Sequence, residues 1–172
     1  MPLTHLGLAM GNDKPGFDLL LVAHVACALA GFGAIVTSGI QATRLRRAGP
    51  GGPGATLLRY FAPGVNWVGR ALYGVPLFGF ALLADSGGQL RIGDAWVVAG
   101  LTLWTLAALL AEGFVWPAER RIQSALVGAL PTGETGPFPA SVRRDCLVVG
   151  LLGAALAAVF LVATVLMVAR PH

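Results

Sequence analysis

The stretch Cys146–Ala169, CLVVGLLGAALAAVFLVATVLMVA, decides the fold of this chain. It contains no Asp, Glu, Lys or Arg, and it is longer than the roughly 20 apolar residues that a helix needs to cross a bilayer. Backbone amides in lipid must be hydrogen-bonded within the segment, because lipid tails offer no partners. The stretch is therefore predicted to be a transmembrane α-helix.

Three earlier stretches have the same character. They cover about 19–42, 64–84 and 95–116, and each is bounded by Gly, Pro, Asp or Arg. The residues before the first stretch lack the basic region of a signal peptide, so this stretch is expected to be a retained helix. Together with 146–169, these segments predict an all-α, polytopic four-helix membrane bundle that forms one domain over residues 1–172.

Composition excludes several classes of protein. Of the 172 residues, 56% are hydrophobic and only 12% are charged, whereas about a quarter of a typical soluble domain is charged. This balance excludes a soluble enzyme and a disordered chain. The net charge of +4 comes from short segments between the apolar stretches, so it does not indicate a nucleic-acid partner. The expected partners are the lipid bilayer and other membrane protein subunits, or a second copy of the chain.

The arginines predict an orientation. Most basic residues fall in the first and third connections, namely Arg44, Arg46, Arg47, Arg59, Arg120, Arg121, Arg143 and Arg144. Because basic short loops stay in the cytosol, both termini are expected on the outer side of a bacterial inner (cytoplasmic) membrane. The segment 117–130 is expected to extend helix three along the inner surface, with Ile122, Leu126 and Ala129 on one face.

Two ionisable residues lie at matching depths in neighbouring helices. Arg70 follows Gly64 by six residues, and Glu112 precedes Pro117 by five, so the antiparallel helices place them at the same level. A charge at membrane depth costs roughly 2.5–3.5 kcal/mol, so an Arg70–Glu112 ion pair is predicted. A polar face of Asn66, Tyr73 and Thr105 is expected around it. The favoured interpretation is a structural clamp; the alternative is an ion, proton or quinone-headgroup site.

A single histidine lies inside the first helix. His24 is expected to bond to Thr102 or Thr164, which lie at a similar depth. The alternative is that His24 ligates a metal or a haem, since neutral imidazole is a common ligand. Cys27, one turn along the helix, and Met167 are the candidate co-ligands. No cofactor is otherwise indicated.

Small residues recur at four-residue spacing in the first and fourth helices. The positions are Ala26, Ala30, Ala34 and Ser38, and Cys146, Gly150, Ala154 and Ala158. Small side chains let helices approach closely in lipid. These two stripes are predicted to form a helix–helix seam, either within the bundle or between protomers.

Three short motifs carry a family resemblance. They are Leu-Val-Ala-His at 21–24, Arg-Leu-Arg-Arg at 44–47 and Trp-Pro-Ala-Glu-Arg-Arg at 116–121. The chain resembles small uncharacterised bacterial integral membrane protein families with four helices and, distantly, the membrane domain of CopD-type copper-resistance proteins. The resemblance implies a four-helix bundle and a copper role with His24 as candidate ligand.

Three functions follow from these observations, in order of preference. The first is a non-catalytic membrane subunit that docks into a larger complex through its small-residue faces. The second is an electron-transfer protein that binds haem or quinone at His24 or on the Arg70/Tyr73/Glu112 face. The third is a small transporter or copper-handling protein. The sequence has no His-Glu-x-x-His or nucleotide-binding motif and no arrangement typical of a Ser-His-Asp triad, so no catalytic residue is predicted.

Overall fold

The computed structural model describes residues 15–49, 60–129 and 138–169, and this part of the chain is helical without strands. Helix α1 covers Pro15–Ala48 and α4 covers Ala140–Ala169. Helix α2 consists of Trp67–Arg70, a 3₁₀ turn Ala71–Tyr73 and Gly74–Asp85. Helix α3 consists of Ala95–Leu110, a π-helical turn Ala111–Val115 and Trp116–Ala129.

All four helices are long and apolar enough to cross a membrane. The predicted all-α, four-helix architecture is confirmed for the described residues, and it indicates a multi-pass membrane protein. The orientation of the bundle stays a prediction. We call the end that holds Arg44, Arg46, Arg47, Arg120, Arg121, Arg143 and Arg144 the arginine-rich end. The end that holds Pro15, the turn 86–94 and Ala169 is the opposite end.

The helices extend beyond the predicted apolar segments. Helix α1 continues past residue 42 through the arginines to Ala48, and α4 begins at Ala140 rather than at 146. Hydropathy detects only the part of a helix that lies in hydrocarbon, so polar turns that project beyond the lipid are missed. Helix α2 begins three residues later than predicted, because Gly64 has φ +136° and Asn66 Oδ1 caps the helix by accepting from Gly69 N–H at 3.1 Å.

Helix α3 continues through the Trp116–Pro117 position where it was predicted to end. Pro117 has no N–H, and its ring would clash with the Gly113 carbonyl in a regular α-helix. The π-helical turn before it widens the backbone, and Trp116 N–H donates to Ala111 O five residues back.

The predicted extension 117–130 is helical to Ala129, and its apolar face packs against protein. Ile122 and Leu126 are buried in the protein core together with Phe138 and Val142. Arg121 ties this segment to α4, since its Nε and Nη2 donate to the two carboxylate oxygens of Asp145 at 2.9 and 2.8 Å. Amphipathicity alone cannot distinguish a helix face that meets lipid from one that meets protein. Leu130 and the side chain of Ala129 lie outside the described residues.

Helix α1 is the centre of the bundle. It packs along both α4 and α2, and α3 packs on α4, whereas α2 and α3 make few close backbone contacts with each other. Long side chains instead bridge the space between α2 and α3. The fully buried residues concentrate towards the arginine-rich end. Towards the opposite end, residues 15–30 of α1 and 157–169 of α4 contain none in the buried class.

Helices α1 and α4 do pack together as predicted, but the closest contacts between them are made by glycines, of which Gly150 belongs to the predicted stripe. A Cβ on Gly153 would lie 3.0 Å from Gly39 Cα, and a Cβ on Gly150 would lie 2.6 Å from Thr43 Oγ1. Within the bundle the predicted seam is wrong at Ala26, Ala154 and Ala158, which are exposed; Ala30 and Ala34 are half-buried. Glycines permit the closest approach because they have no Cβ, so the seam follows Gly39 and Gly153.

Candidate functional site

An ion pair joins α2 and α3 in the half of the bundle near the arginine-rich end. Arg70 Nη1 and Tyr73 Oη both donate to Glu112 Oε1. The predicted Arg70–Glu112 pair is thus present in the structure, with Tyr73 as a third member. The side chain of Arg70 is 24% exposed and that of Glu112 is 47% exposed. The carboxylate therefore lies at the lateral surface of the bundle rather than in its core.

Both helices depart from α geometry where they carry this site. Tyr73 ends the 3₁₀ turn of α2, and Glu112 lies in the π-helical turn of α3. A proline follows each irregular turn, Pro76 in α2 and Pro117 in α3, and each lacks the N–H that a regular helix would use. π-Helical turns within α-helices occur frequently at functional sites. The irregular turns of both helices thus coincide with the residues that form the charged site.

Aromatic rings frame the charged groups. The Arg70 guanidinium carbon lies 3.6 Å from the centroid of the Trp116 ring, which is a cation–π contact. The Tyr73 ring lies edge-on to Trp104 at 6.4 Å and tilted against Trp116 at 6.2 Å. These rings keep the guanidinium in place while leaving one side of Glu112 uncovered. The contact of Trp116 with Arg70 was not predicted from the sequence, where Trp116 belongs to the motif at 116–121.

The other predicted members of the polar face do not bond to the ion pair. Asn66 caps α2 through its own Oδ1, and Thr105 Oγ1 donates to Leu101 O of its own helix at 2.8 Å. Thr105 is exposed on the same side of α3 as Glu112. The polar face thus consists of the bonded group Arg70, Tyr73 and Glu112, with Thr105 on its rim.

A second acidic residue of α3 is buried close to the site. Glu119 is 4% exposed and lies beside Ser38 of α1, which is 1% exposed. Within the described residues, Glu119 Oε1 and Trp116 Nε1 are buried without a hydrogen-bond partner. Glu119 precedes Ile122 by three residues and Leu126 by seven, so it shares their buried face, and that helical spacing is the signal that could have identified it.

Trp104 closes the site on the side of the opposite end. Its Nε1–H donates to Leu72 O at 2.9 Å. In a regular α-helix, Leu72 O would accept from residue 76, but Pro76 has no N–H to give. The Trp104 indole N–H therefore takes the place of the N–H that Pro76 lacks. In doing so, the Trp104 side chain spans the space between α2 and α3.

Replacing Trp104 with phenylalanine is expected to lower the free energy of unfolding by about 1 kcal/mol, because Leu72 O loses its donor from α3. Trp67→Phe is the matched control, since Trp67 is 76% exposed and should change stability little. Both variants can be unfolded with SDS in mixed micelles. Equal losses in the two variants would show that the Trp104–Leu72 bond contributes nothing specific.

His24 bonds to a backbone carbonyl rather than to the predicted threonines. Its Nδ1 lies 2.9 Å from Val75 O of α2, while Thr102 and Thr164 bond to carbonyls of their own helices. A carbonyl oxygen only accepts, so Nδ1 carries the hydrogen. In the neutral imidazole the other nitrogen, Nε2, is then a hydrogen-bond acceptor.

Of the two candidate co-ligands of His24, Met167 lies near it in the cavities and Cys27 does not. Cys27 packs against α2, where a Cβ on Gly74 would lie 2.5 Å from its Sγ. Met167 lines the same two cavities as His24, whereas Cys27 lines neither. Among the residues that the structure describes, no group of three or more His, Cys, Asp or Glu could hold a metal ion. His5 and His172 lie outside those residues.

Comparisons with protein-family descriptions, with curated proteins and with solved structures find no match to this chain. The resemblance to small bacterial membrane proteins and to the CopD membrane domain therefore stays a prediction.

Proposed function

We propose that this protein is a non-catalytic integral membrane subunit that docks onto another membrane protein through the exposed face of α3 around Glu112. The observation that carries the proposal is the lateral exposure of a carboxylate that belongs to a membrane-spanning helix. Glu112 lies 17 residues after Ala95, where α3 begins, about 26 Å along the helix at 1.5 Å per residue. That position is still within the roughly 30 Å of a hydrocarbon layer.

The Glu112 carboxylate is only partly satisfied by hydrogen bonds within the chain. A charge in hydrocarbon costs roughly 2.5–3.5 kcal/mol on insertion scales, and the bonds from Arg70 and Tyr73 offset part of this cost. Both bonds end on Oε1. Neither of these bonds from the described residues reaches Glu112 Oε2, so this oxygen can accept a hydrogen bond from a partner protein. A polar group on a partner helix would satisfy it where lipid tails cannot.

The surface around Glu112 fits a helix of a partner protein. Thr102, Thr105, Leu109 and Glu112 recur at helical spacing on α3 and are all exposed. Nothing lies within 4 Å of a Cβ placed on Gly113, so the backbone there is open to close approach. We call this stripe, Thr102 to Gly113, the α3 docking face. The exposed alanines of the predicted seam, Ala26, Ala154 and Ala158, remain available for contacts elsewhere on the surface.

The chemistry of the expected partner follows from the charges. Arg70 and Glu112 cancel, so the docking face presents hydrogen-bonding capacity without net charge. The partner is therefore proposed to be a transmembrane helix with a neutral donor such as Ser, Thr, Asn or Gln. The proposal includes the orientation predicted from the arginines, with both termini outside an inner bacterial membrane.

Site-specific photo-cross-linking in native membranes tests the proposal. A benzoylphenylalanine at Thr105 is expected to give one adduct of discrete mass, since Thr105 is exposed at the centre of the docking face. The same probe at Leu161, which is 63% exposed on α4, is the matched control and should give none. Glu112→Gln should weaken the Thr105 adduct.

Two outcomes would contradict this function. Equal adducts from Thr105 and Leu161 would show random encounters in the membrane. An adduct of twice the mass of the chain would show that the face binds a second copy, and the proposed hetero-complex would be wrong.

A further inference from the structure

Two adjoining cavities lie in the half of the bundle near the opposite end. Their volumes are about 180 and 400 Å³. They share six lining residues from all four helices, namely Leu21, His24, Val75, Gly100, Trp104 and Met167. The cavities thus meet at His24, well away from the α3 docking face.

The cavities follow from how this half of the bundle is built. Trp104 reaches from α3 to Leu72 of α2 and spans the space between the helices, and α2 and α3 make few close backbone contacts. Gly79 and Gly100 add no side chain to fill the space: a Cβ on Gly79 would lie 3.4 Å from His24 Cε1.

His24 gives this apolar space one directed polar group. Because Nδ1–H is used by Val75 O, the tautomer is fixed and Nε2 is an acceptor. The remaining lining is mostly aliphatic or aromatic, including Phe80 and Trp104, and the hydroxyl of Thr164 donates to Phe160 O of its own helix. A few placed polar groups in an otherwise apolar pocket are the usual composition of a small-molecule site.

We infer that these cavities bind a neutral, membrane-soluble ring compound that carries a hydroxyl group, of the phenol or quinol class. The hydroxyl donates to His24 Nε2, and the ring packs against the aromatic side chains of Phe80 and Trp104. No charged residue is among the lining residues described, so a ligand with carboxylates, such as haem with its two propionates, lacks counter-charges there. A metal ion would have one nitrogen ligand without a cluster of further donors.

Binding of a matched set of probes to the purified full-length chain tests this inference. The probes are a decyl-substituted benzoquinol, its bis-methyl ether and the corresponding quinone, titrated calorimetrically into nanodiscs without oxygen. Only the quinol can donate to Nε2, so it should bind about tenfold more tightly than the ether, the value of one hydrogen bond to a buried acceptor. The quinone, which only accepts, should resemble the ether.

Two variants separate the hydrogen bond from the cavity. In His24→Leu the preference for the quinol over the ether should disappear. Gly100→Val should weaken both probes by a similar factor, because the added side chain points at the flexible Met167 methyl, 3.2 Å from its Cβ position. Glu112→Gln should leave binding unchanged, so this test is independent of the proposed docking function.

Three results would overturn the inference. The first is equal binding of quinol and ether to the wild-type chain, and the second is binding of neither. The third is a Soret band in the purified protein that His24→Leu removes, which would assign the cavity to haem. If His24→Leu does not fold, the wild-type comparison of quinol with ether and the Gly100→Val variant decide the question.

Discussion

Arg70→Leu is expected to lower the free energy of unfolding by about 2–3 kcal/mol, more than any other single change at the charged site. The substitution leaves the Glu112 carboxylate at membrane depth with Tyr73 as its one donor among the bonds that the structure shows. Removing one partner of a fully buried ion pair costs about 3–5 kcal/mol. The smaller value applies because the Glu112 side chain is 47% exposed.

The double variant Arg70→Leu with Glu112→Leu tests the physical reason. It removes both charges, so no unpaired carboxylate remains, and it should be more stable than Arg70→Leu alone. SDS-induced unfolding in mixed micelles measures both variants against the wild-type chain. Equal losses in the single and double variants would contradict the pairing, since the cost would then come from lost packing of Arg70 on Trp116.

Gly31→Ala is expected to lower the free energy of unfolding by about 1–3 kcal/mol, the usual cost of overpacking a tight contact. A Cβ on Gly31 would lie 2.5 Å from Leu72 N and 2.8 Å from Leu72 Cα, so α1 and α2 would have to separate. A backbone contact cannot be relieved by a rotamer change. The loss should therefore exceed the gain of roughly 0.5–1 kcal/mol that alanine brings to a helix.

Gly33→Ala is the matched control for this prediction. It lies on the same helix two residues away, and nothing is within 4 Å of its Cβ position. It should leave stability unchanged or raise it slightly. If Gly31→Ala is as stable as Gly33→Ala, the close approach of α1 to α2 described here is wrong.

The number of spanning helices and the common level of Arg70 and Glu112 could be predicted from the sequence, because both depend on position along the chain. The four apolar segments required four spanning helices, and counting residues from Gly64 and Pro117 placed Arg70 and Glu112 at one level. The structure contains that ion pair. Counting worked because the rise per residue is fixed at 1.5 Å in a helix and two antiparallel neighbours share a common boundary.

Rotation about each helix axis could not be predicted. A helix that is apolar on all sides gives no indication of which side meets protein. The seam was therefore assigned to the stripe Cys146, Gly150, Ala154 and Ala158. Gly150 does lie in the seam, but the closest approach is at Gly153, and Ala154 and Ala158 are exposed. The hydrogen-bond partner of His24 could not be predicted for the same reason. The rotation of α1 about its axis decides whether the imidazole meets Val75 O or a threonine side chain.

The 3₁₀ turn of α2 and the π-helical turn of α3 could not be predicted from sequence patterns either. Pro76 has no N–H, and the donor that replaces it comes from Trp104, which is distant in sequence. The π-helical turn at Ala111–Val115 depends on Pro117 and on continuation of the helix beyond it. Hydropathy ended that helix at 116, since the polar residues after it resemble a loop.

Cysteine accessibility tests the central claim, that α3 crosses the membrane and places Glu112 inside it. Gln89 and Ser141 are exposed beyond the two ends of α3, and each can be changed to cysteine in a chain without Cys27 and Cys146. A membrane-impermeant maleimide added to intact cells should label Gln89→Cys, and Ser141→Cys should react only after permeabilisation. Labelling of both positions from the same side of the membrane would contradict the account.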